Sequence, residues 1–251
     1  MKLRDYTPGC PKVILLGPPG SGKTLLATTL GHRAKVLDIN NGLASAKLFK
    51  DKFTAERQEC EVVNCWDSGS PDTVWARTVK EIRNFTDKPS HPALIIDGLT
   101  DLAEAALGNV LLGAGKWGEE SASSVEQREW GQAIMMMQRL MYRIKSCQAV
   151  VVLVAHTATA GAVKREFERL SVYGRNLRPA IAGLFDETWY QKVSGFGTKK
   201  TFTLQAVTSG TVECKTRRQL PDGSDVNLGM VKLLELTGFT FEKEKGATSG
   251  N

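Results

Sequence analysis

No apolar run in the 251-residue chain is long enough to span a bilayer, which argues against a membrane-spanning helix and a membrane partner. The opening MKLRDYTPGC lacks the apolar core of a signal peptide, so a cytoplasmic location is expected. The cysteines, Cys10, Cys60, Cys65, Cys147 and Cys214, are odd in number and widely scattered, which does not suit a disulfide framework. The closest two, Cys60 and Cys65, have no second pair or histidine cluster to complete a zinc site. Reduced, structural thiols are expected. There are no internal repeats and no low-complexity tracts. What remains is ordinary for a globular protein, with 41% hydrophobic and 24% charged residues. The length suits one large domain, read as residues 1–240, followed by a polar tail at 241–251 that is expected to be disordered. A net charge of +6 fits either a polyanionic partner or a basic, soluble surface.

Short apolar runs alternate with longer helical patterns, which predicts an α/β fold with a mostly parallel sheet flanked by helices. The expected strands are 12–16, 35–39, 61–65, 93–97 and 149–155, the last apolar at every position and suited to a buried centre. A helix is expected over 124–145. Its start is read as a capping box from Ser124 to Gln127, and Trp130, Ile134, Met137, Met141 and Ile144 form one apolar stripe. Beyond residue 186, runs at 188–193, 200–207 and 211–216 read as an antiparallel C-terminal extension. The run 230–236 fits a strand or a helix equally.

The sharpest signal is Gly17-Pro18-Pro19-Gly20-Ser21-Gly22-Lys23-Thr24, set between an apolar run and a helical one. Glycines let the backbone approach a ligand closely and turn several N–H groups inward, and the following helix N-terminus adds partial positive charge. Lys23 can reach β- and γ-phosphates, and the Thr24 hydroxyl can ligate Mg²⁺. ATP and Mg²⁺ are therefore the expected ligands. In ALIID, Asp97 ends an apolar strand at the edge where parallel sheets bind ligands, so it is expected to hold the metal through its water shell. His156 ends the 149–155 run, where a side chain could bond the terminal phosphate and report its loss to the following loop.

LIIDGLTDL resembles the metal-binding strand of RecA-like recombinases. The chain order matches as well: phosphate loop, a strand ending in LDINNG, another strand, the Asp97 strand, a long helix, and an apolar strand ending in a polar residue. Residues 178–192 and 214–223 resemble stretches of phage-encoded RecA-like ATPases that work beside single-strand-annealing proteins. The resemblance spans roughly residues 10 to 240. It implies an ATPase in phage recombination, strand annealing or repair, located in the host cytoplasm and assembled as a homo-oligomeric ring or filament. The implied partners are single-stranded DNA and a single-strand-annealing or single-strand-binding protein. It also implies that Lys215 and Arg217 reach into a neighbouring subunit's site, where a solvated basic turn is the plainer alternative. Two DNA-binding loops follow from it, one holding Lys116 and Trp117, the other Lys164, Arg165, Arg169 and Arg175 with Phe167 and Tyr173 among them. A surface loop and an amphipathic helix over roughly 163–172 are the competing readings.

One departure bears on catalysis. The resemblance leads to a glutamate at the end of the second strand, but the residue there is Asn40. An amide can position water but cannot accept its proton, so hydrolysis is slow, lost, or served by another carboxylate such as Asp38 or Asp101. The rival functions are a helicase loader or replication-associated motor, a small-molecule kinase, and a nucleotide-gated DNA-binding module with little hydrolysis.

Overall fold

In the computed structural model, the structure is described for residues 9–43, 59–67, 70–116, 125–162, 165–173, 177–195, 200–209 and 211–241. Val, Ile and Leu dominate the central strands because both of their faces are covered. β1 (Lys12–Gly17), β2 (Ala34–Asp38) and β4 (Ala93–Asp97) are buried almost throughout. β3 (Glu61–Asn64) lies beyond β2 at one margin of the sheet and is mostly exposed. β5 starts at Val150 and β7 covers Glu187–Ser194. The sheet order is β10-β8-β7-β1-β5-β4-β2-β3, where β8 is Thr201–Gln205 and β10 is Ser224–Asp225. From β3 to β7 every pairing is parallel; β8 then runs antiparallel to β7 and β10 to β8. This is the fold class expected from the sequence, with β7 as the strand where the pairing changes direction.

Two apolar layers close the faces. On one, Ile14, Leu16, Leu94, Ile96, Val151 and Leu153 pack against α2 (Pro71–Asp87), α3 (Leu99–Gly113), α4 (Gln127–Ser146) and α5 (Leu177–Leu184). On the other, Val13, Leu15, Val36, Ile95 and Val152 meet α1 (Lys23–Ala27) and α6 (Gly229–Leu236). The ambiguous run 230–236 is thus helical, with Met230, Leu233 and Leu234 buried on one side. Phe241, read as the first tail residue, packs edge-on against Phe239; residues 242–251 of that tail lie outside the described residues.

Three expectations are corrected. The helix expected from Ser124 begins at Gln127, because Glu126 and Glu129 form the capping box; Ser124 lies outside the described residues. The segment read as a loop or as a helix over 163–172 is neither. β5 runs on to Ala162 and pairs antiparallel with β6 (Arg165–Leu170), from Thr157↔Leu170 to Ala162↔Arg165. The strand expected over 211–216 reduces to β9 (Lys215–Thr216), paired with the start of β7, while Val212 forms a lone bridge to Glu168.

Candidate nucleotide site

Register brings the functional side chains to one edge. Gly17 lies beside His156, Asp38 beside Asp97, and Asp97 beside Val154. The C-terminal tips of β1, β2, β4 and β5 therefore face the same crevice, where parallel sheets bind ligands.

The phosphate loop leaves β1 at Gly17. A Cβ there would fall 2.8 Å from Ser21 Oγ and 2.9 Å from the Gln191 carbonyl oxygen, so only glycine lets the loop close over the strand. Gly22 has φ of 89° and starts α1, and a Cβ on it would lie 3.2 Å from Gln191 Nε2. Gln191 is the residue that sequence reasoning missed. It sits on β7 and is 1% exposed, and its Nε2 donates to the Ser21 carbonyl at 2.7 Å. No local motif marks it; β7 delivers it from 170 residues away. We expect Gln191→Met, which keeps the volume and removes the donor, to weaken ATP affinity by about tenfold, the worth of one buried hydrogen bond. Equilibrium titration with a fluorescent ATP analogue checks this.

Lys23 is buried, and its ammonium donates to the Gly17 and Pro18 carbonyls, both at 2.9 Å. Burial pulls its pKa down to about 8, against the opposing charge of Asp97. The Thr24 hydroxyl donates to Asp97 Oδ2 at 2.8 Å. Asp97 is itself buried, and desolvation pushes its pKa up to about 6 despite the Thr24 bond and Lys23, with Asp38 and Asp101 adding to the rise. A divalent cation would reverse that balance. His156 has its Nδ1 buried with no partner among the described residues. Burial and the Lys23 charge hold its pKa below the ordinary value, so a neutral imidazole faces the crevice.

These residues fit Mg-ATP. The glycine cradle fits phosphate, and Thr24 and Asp97 are the residues that would hold a magnesium ion beside it. Among the described residues, no cluster of three or more His, Cys, Asp or Glu side chains could hold a metal by itself. The five cysteines are all free thiols.

The other anticipated residues stand elsewhere. Lys215 and Arg217 lie at the opposite edge, because β9 pairs with Glu187 and Thr188, which flank the start of β1. Lys215 Nζ donates to the carbonyls of Ala182 at 2.9 Å, Phe185 at 2.7 Å and Gly183 at 3.4 Å, closing the C-terminus of α5. Arg217 donates to Gly183 at 3.3 Å and pairs with Asp186 at 3.6 Å. Neither touches this chain's phosphate loop. Lys116 is held by Glu126 and Glu129, each at 2.8 Å, ahead of α4. Arg169 is exposed on β6, opposite Ala158, and Arg165 begins that strand. Trp117, Lys164 and Arg175 lie outside the described residues.

A glycine-cradled loop closing a parallel strand, with lysine, threonine and a facing strand-end aspartate, defines a P-loop nucleotide-binding ATPase core. The profile of the AAA domain family matches residues 10–218, and the chain belongs to that family. Among solved structures, a KaiC-like protein from the hyperthermophilic archaeon Pyrococcus horikoshii is similar at 11% identity with a TM-score of 0.48, over 80% of this chain and 81% of that one. No curated protein matches the sequence. No helix among the described residues is long and apolar enough to cross a membrane.

Proposed function

We propose that the chain binds Mg-ATP between Gly17–Thr24 and Asp97, hydrolyses it, and couples the cycle to single-stranded DNA in recombination, strand annealing or repair. The observation that carries the ATP reading is the Thr24–Asp97 bond beneath a glycine cradle, flanked by Lys23 and the unpartnered nitrogen of His156. Lys23 would leave its two loop carbonyls for the phosphates, and His156 would bond the terminal one. When Mg²⁺ is bound it neutralises charge developing on the transferred phosphoryl group.

Support for the DNA reading comes from the position of the β5–β6 hairpin. β5 continues without a break from His156 into the hairpin, and Ser171 N–H returns to the His156 carbonyl at 2.9 Å. A phosphate bond made or broken at His156 is thus passed directly to an arm carrying Arg165 and Arg169. Cations there would meet backbone phosphates, making binding salt-dependent. The sequence resemblance further supports a phage setting, a ring or filament, and a single-strand-annealing or single-strand-binding partner. In such an oligomer, Lys215 and Arg217 would serve a neighbouring site only by leaving the carbonyls of α5.

The test is ATP turnover with and without an oligothymidylate, together with anisotropy of the labelled strand. The expected result is turnover stimulated by the oligonucleotide and strand binding that strengthens with ATP. Turnover indifferent to DNA, with no strand binding, would sink the DNA reading and favour a loader or a small-molecule kinase. A second reading, a nucleotide-gated binding module, is favoured by Asn40 and predicts ATP-dependent strand binding without turnover.

A further inference from the structure

We propose that Asp101 is the group that accepts the proton of the attacking water, and that Asn40 holds it in place, filling the role of the carboxylate absent from position 40. The inference rests on the ATPase reading above. Three aspartates stand at the crevice, and their partners separate them. Asp97 is committed to Thr24 and the metal position. Asp38 is 2% exposed, and both its oxygens are occupied: Oδ1 accepts from Gly42 N–H at 3.0 Å and Oδ2 from Leu43 N–H at 3.1 Å. It caps the turn after β2, and both oxygens are engaged in holding that turn, with almost no surface open to the crevice.

Asp101 differs on each count. It lies in the first turn of α3 and is only half-buried. Its Oδ2 accepts from Asn40 Nδ2 at 3.2 Å, and Oδ1 has no protein donor among the described residues. The Asn40 amide is fixed from its other end, since Oδ1 accepts from Gly42 N–H at 2.9 Å. The amide group therefore faces Asp101 as a donor and orients one carboxylate oxygen while leaving the second open.

Gly98 makes this approach possible. A Cβ at Gly98 would fall 3.0 Å from Asp101 Oδ2 and 3.5 Å from Asn40 Nδ2. The Asn40–Asp101 pair thus sits against the tip of β4, one residue past Asp97. Asp101 also lies within electrostatic reach of both Asp97 and His156, the groups placed at the metal and at the terminal phosphate. In the step, the water oxygen bonds to the γ-phosphorus while the bond from that phosphorus to the β–γ bridging oxygen breaks. The water proton passes to Asp101 Oδ1 and then to the released phosphate, which restores the carboxylate and leaves ADP and inorganic phosphate.

Asp101→Asn, which is isosteric, is the deciding variant, compared with Asn40→Ala and Asp101→Glu. Turnover by Asp101→Asn is expected to fall on the order of a hundredfold or more, the usual worth of a general base. Its affinity for a fluorescent ATP analogue should stay within about twofold of the parent, while capture of ADP with magnesium and aluminium fluoride is lost, because only the transition-state mimic holds the water. Asn40→Ala should lose about tenfold in turnover with binding intact, and Asp101→Glu should recover part of the Asp101→Asn loss. Turnover by Asp101→Asn within about threefold of the parent would overturn the assignment. A parent chain that binds ATP but never turns it over would overturn hydrolysis and the assignment together. A parent that binds no ATP would sink the nucleotide reading itself.

Discussion

Lys23→Met should abolish ATP turnover without lowering the melting temperature at pH 7. The first half follows from position: the ammonium is the one full positive charge in the loop, and removing such a phosphate-facing donor costs about a hundredfold or more in rate. The second half follows from burial. The folded-state pKa of about 8 lies below the ordinary lysine value of 10.5, so the unfolded chain binds this proton more tightly than the folded one. Folding therefore works against Lys23 below pH 8, and the cost is relieved as pH rises from about 8 towards 10.5. Methionine keeps the stem and removes the charge, so the variant should match or exceed the parent in thermal unfolding at pH 7. ATP affinity of the parent should weaken as pH rises through about 8, because phosphate needs the protonated amine. A melting temperature several degrees below the parent at pH 7, or an affinity flat across the window around pH 8, would contradict this account.

Glu187→Ala should be among the most damaging single changes in the chain, although it lies at the edge away from the phosphate loop. Glu187 is fully buried and accepts three hydrogen bonds: from Trp189 Nε1 at 2.8 Å, from Arg217 N–H at 3.0 Å and from Arg218 N–H at 2.8 Å. Truncation strands all three donors. Hydrogen bonds to charged groups contribute about 1.5–3 kcal/mol each, and non-additivity brings the expected loss to roughly 3–5 kcal/mol. For a chain of this size that is about 10 °C in melting temperature. Glu187→Gln keeps the oxygen facing the two backbone amides and loses only the Trp189 acceptor, so its loss should be about 1–2 kcal/mol. Thermal and urea unfolding of the two variants test the ordering. Equal losses would mean that the carboxylate charge, rather than the acceptor geometry, holds the 215–218 turn.

The elements legible in the sequence are those whose local pattern and tertiary fate agree. KVILL and ALIID are apolar at nearly every position because both faces are covered, and the phosphate loop is a contiguous motif of eight residues. The β5–β6 hairpin is hidden because Thr157 to Ala162 is a run of small residues with too little contrast in hydrophobicity to mark a strand. Its partner, Arg165 to Leu170, carries mixed charges at spacings that suit a helix, and pairing overrides that preference. The Asn40–Asp101 bond joins residues 61 apart in sequence, and only the adjacency of β2 and β4 brings them together. Gln191 and Glu187 carry no signature at all: a glutamine and a glutamate in a β-prone run say nothing about what lies beside the strand. Sequence shows which residues can meet a phosphate, but not which strand will stand behind the loop that holds it.

The place of β1 in the sheet has a consequence for biosynthesis. Lys12 pairs with Val151 on one side, and Val13 pairs with Glu187 on the other. The segment that carries the phosphate loop therefore leaves the ribosome long before either of its neighbours has been made. At about 5–20 residues per second, the nascent strand waits many seconds with its apolar flanks unpaired. β1 can reach its paired state only after β5 and β7 have been translated. A fragment ending before β7 would contain the whole nucleotide-binding motif while lacking the strand against which that motif is seated.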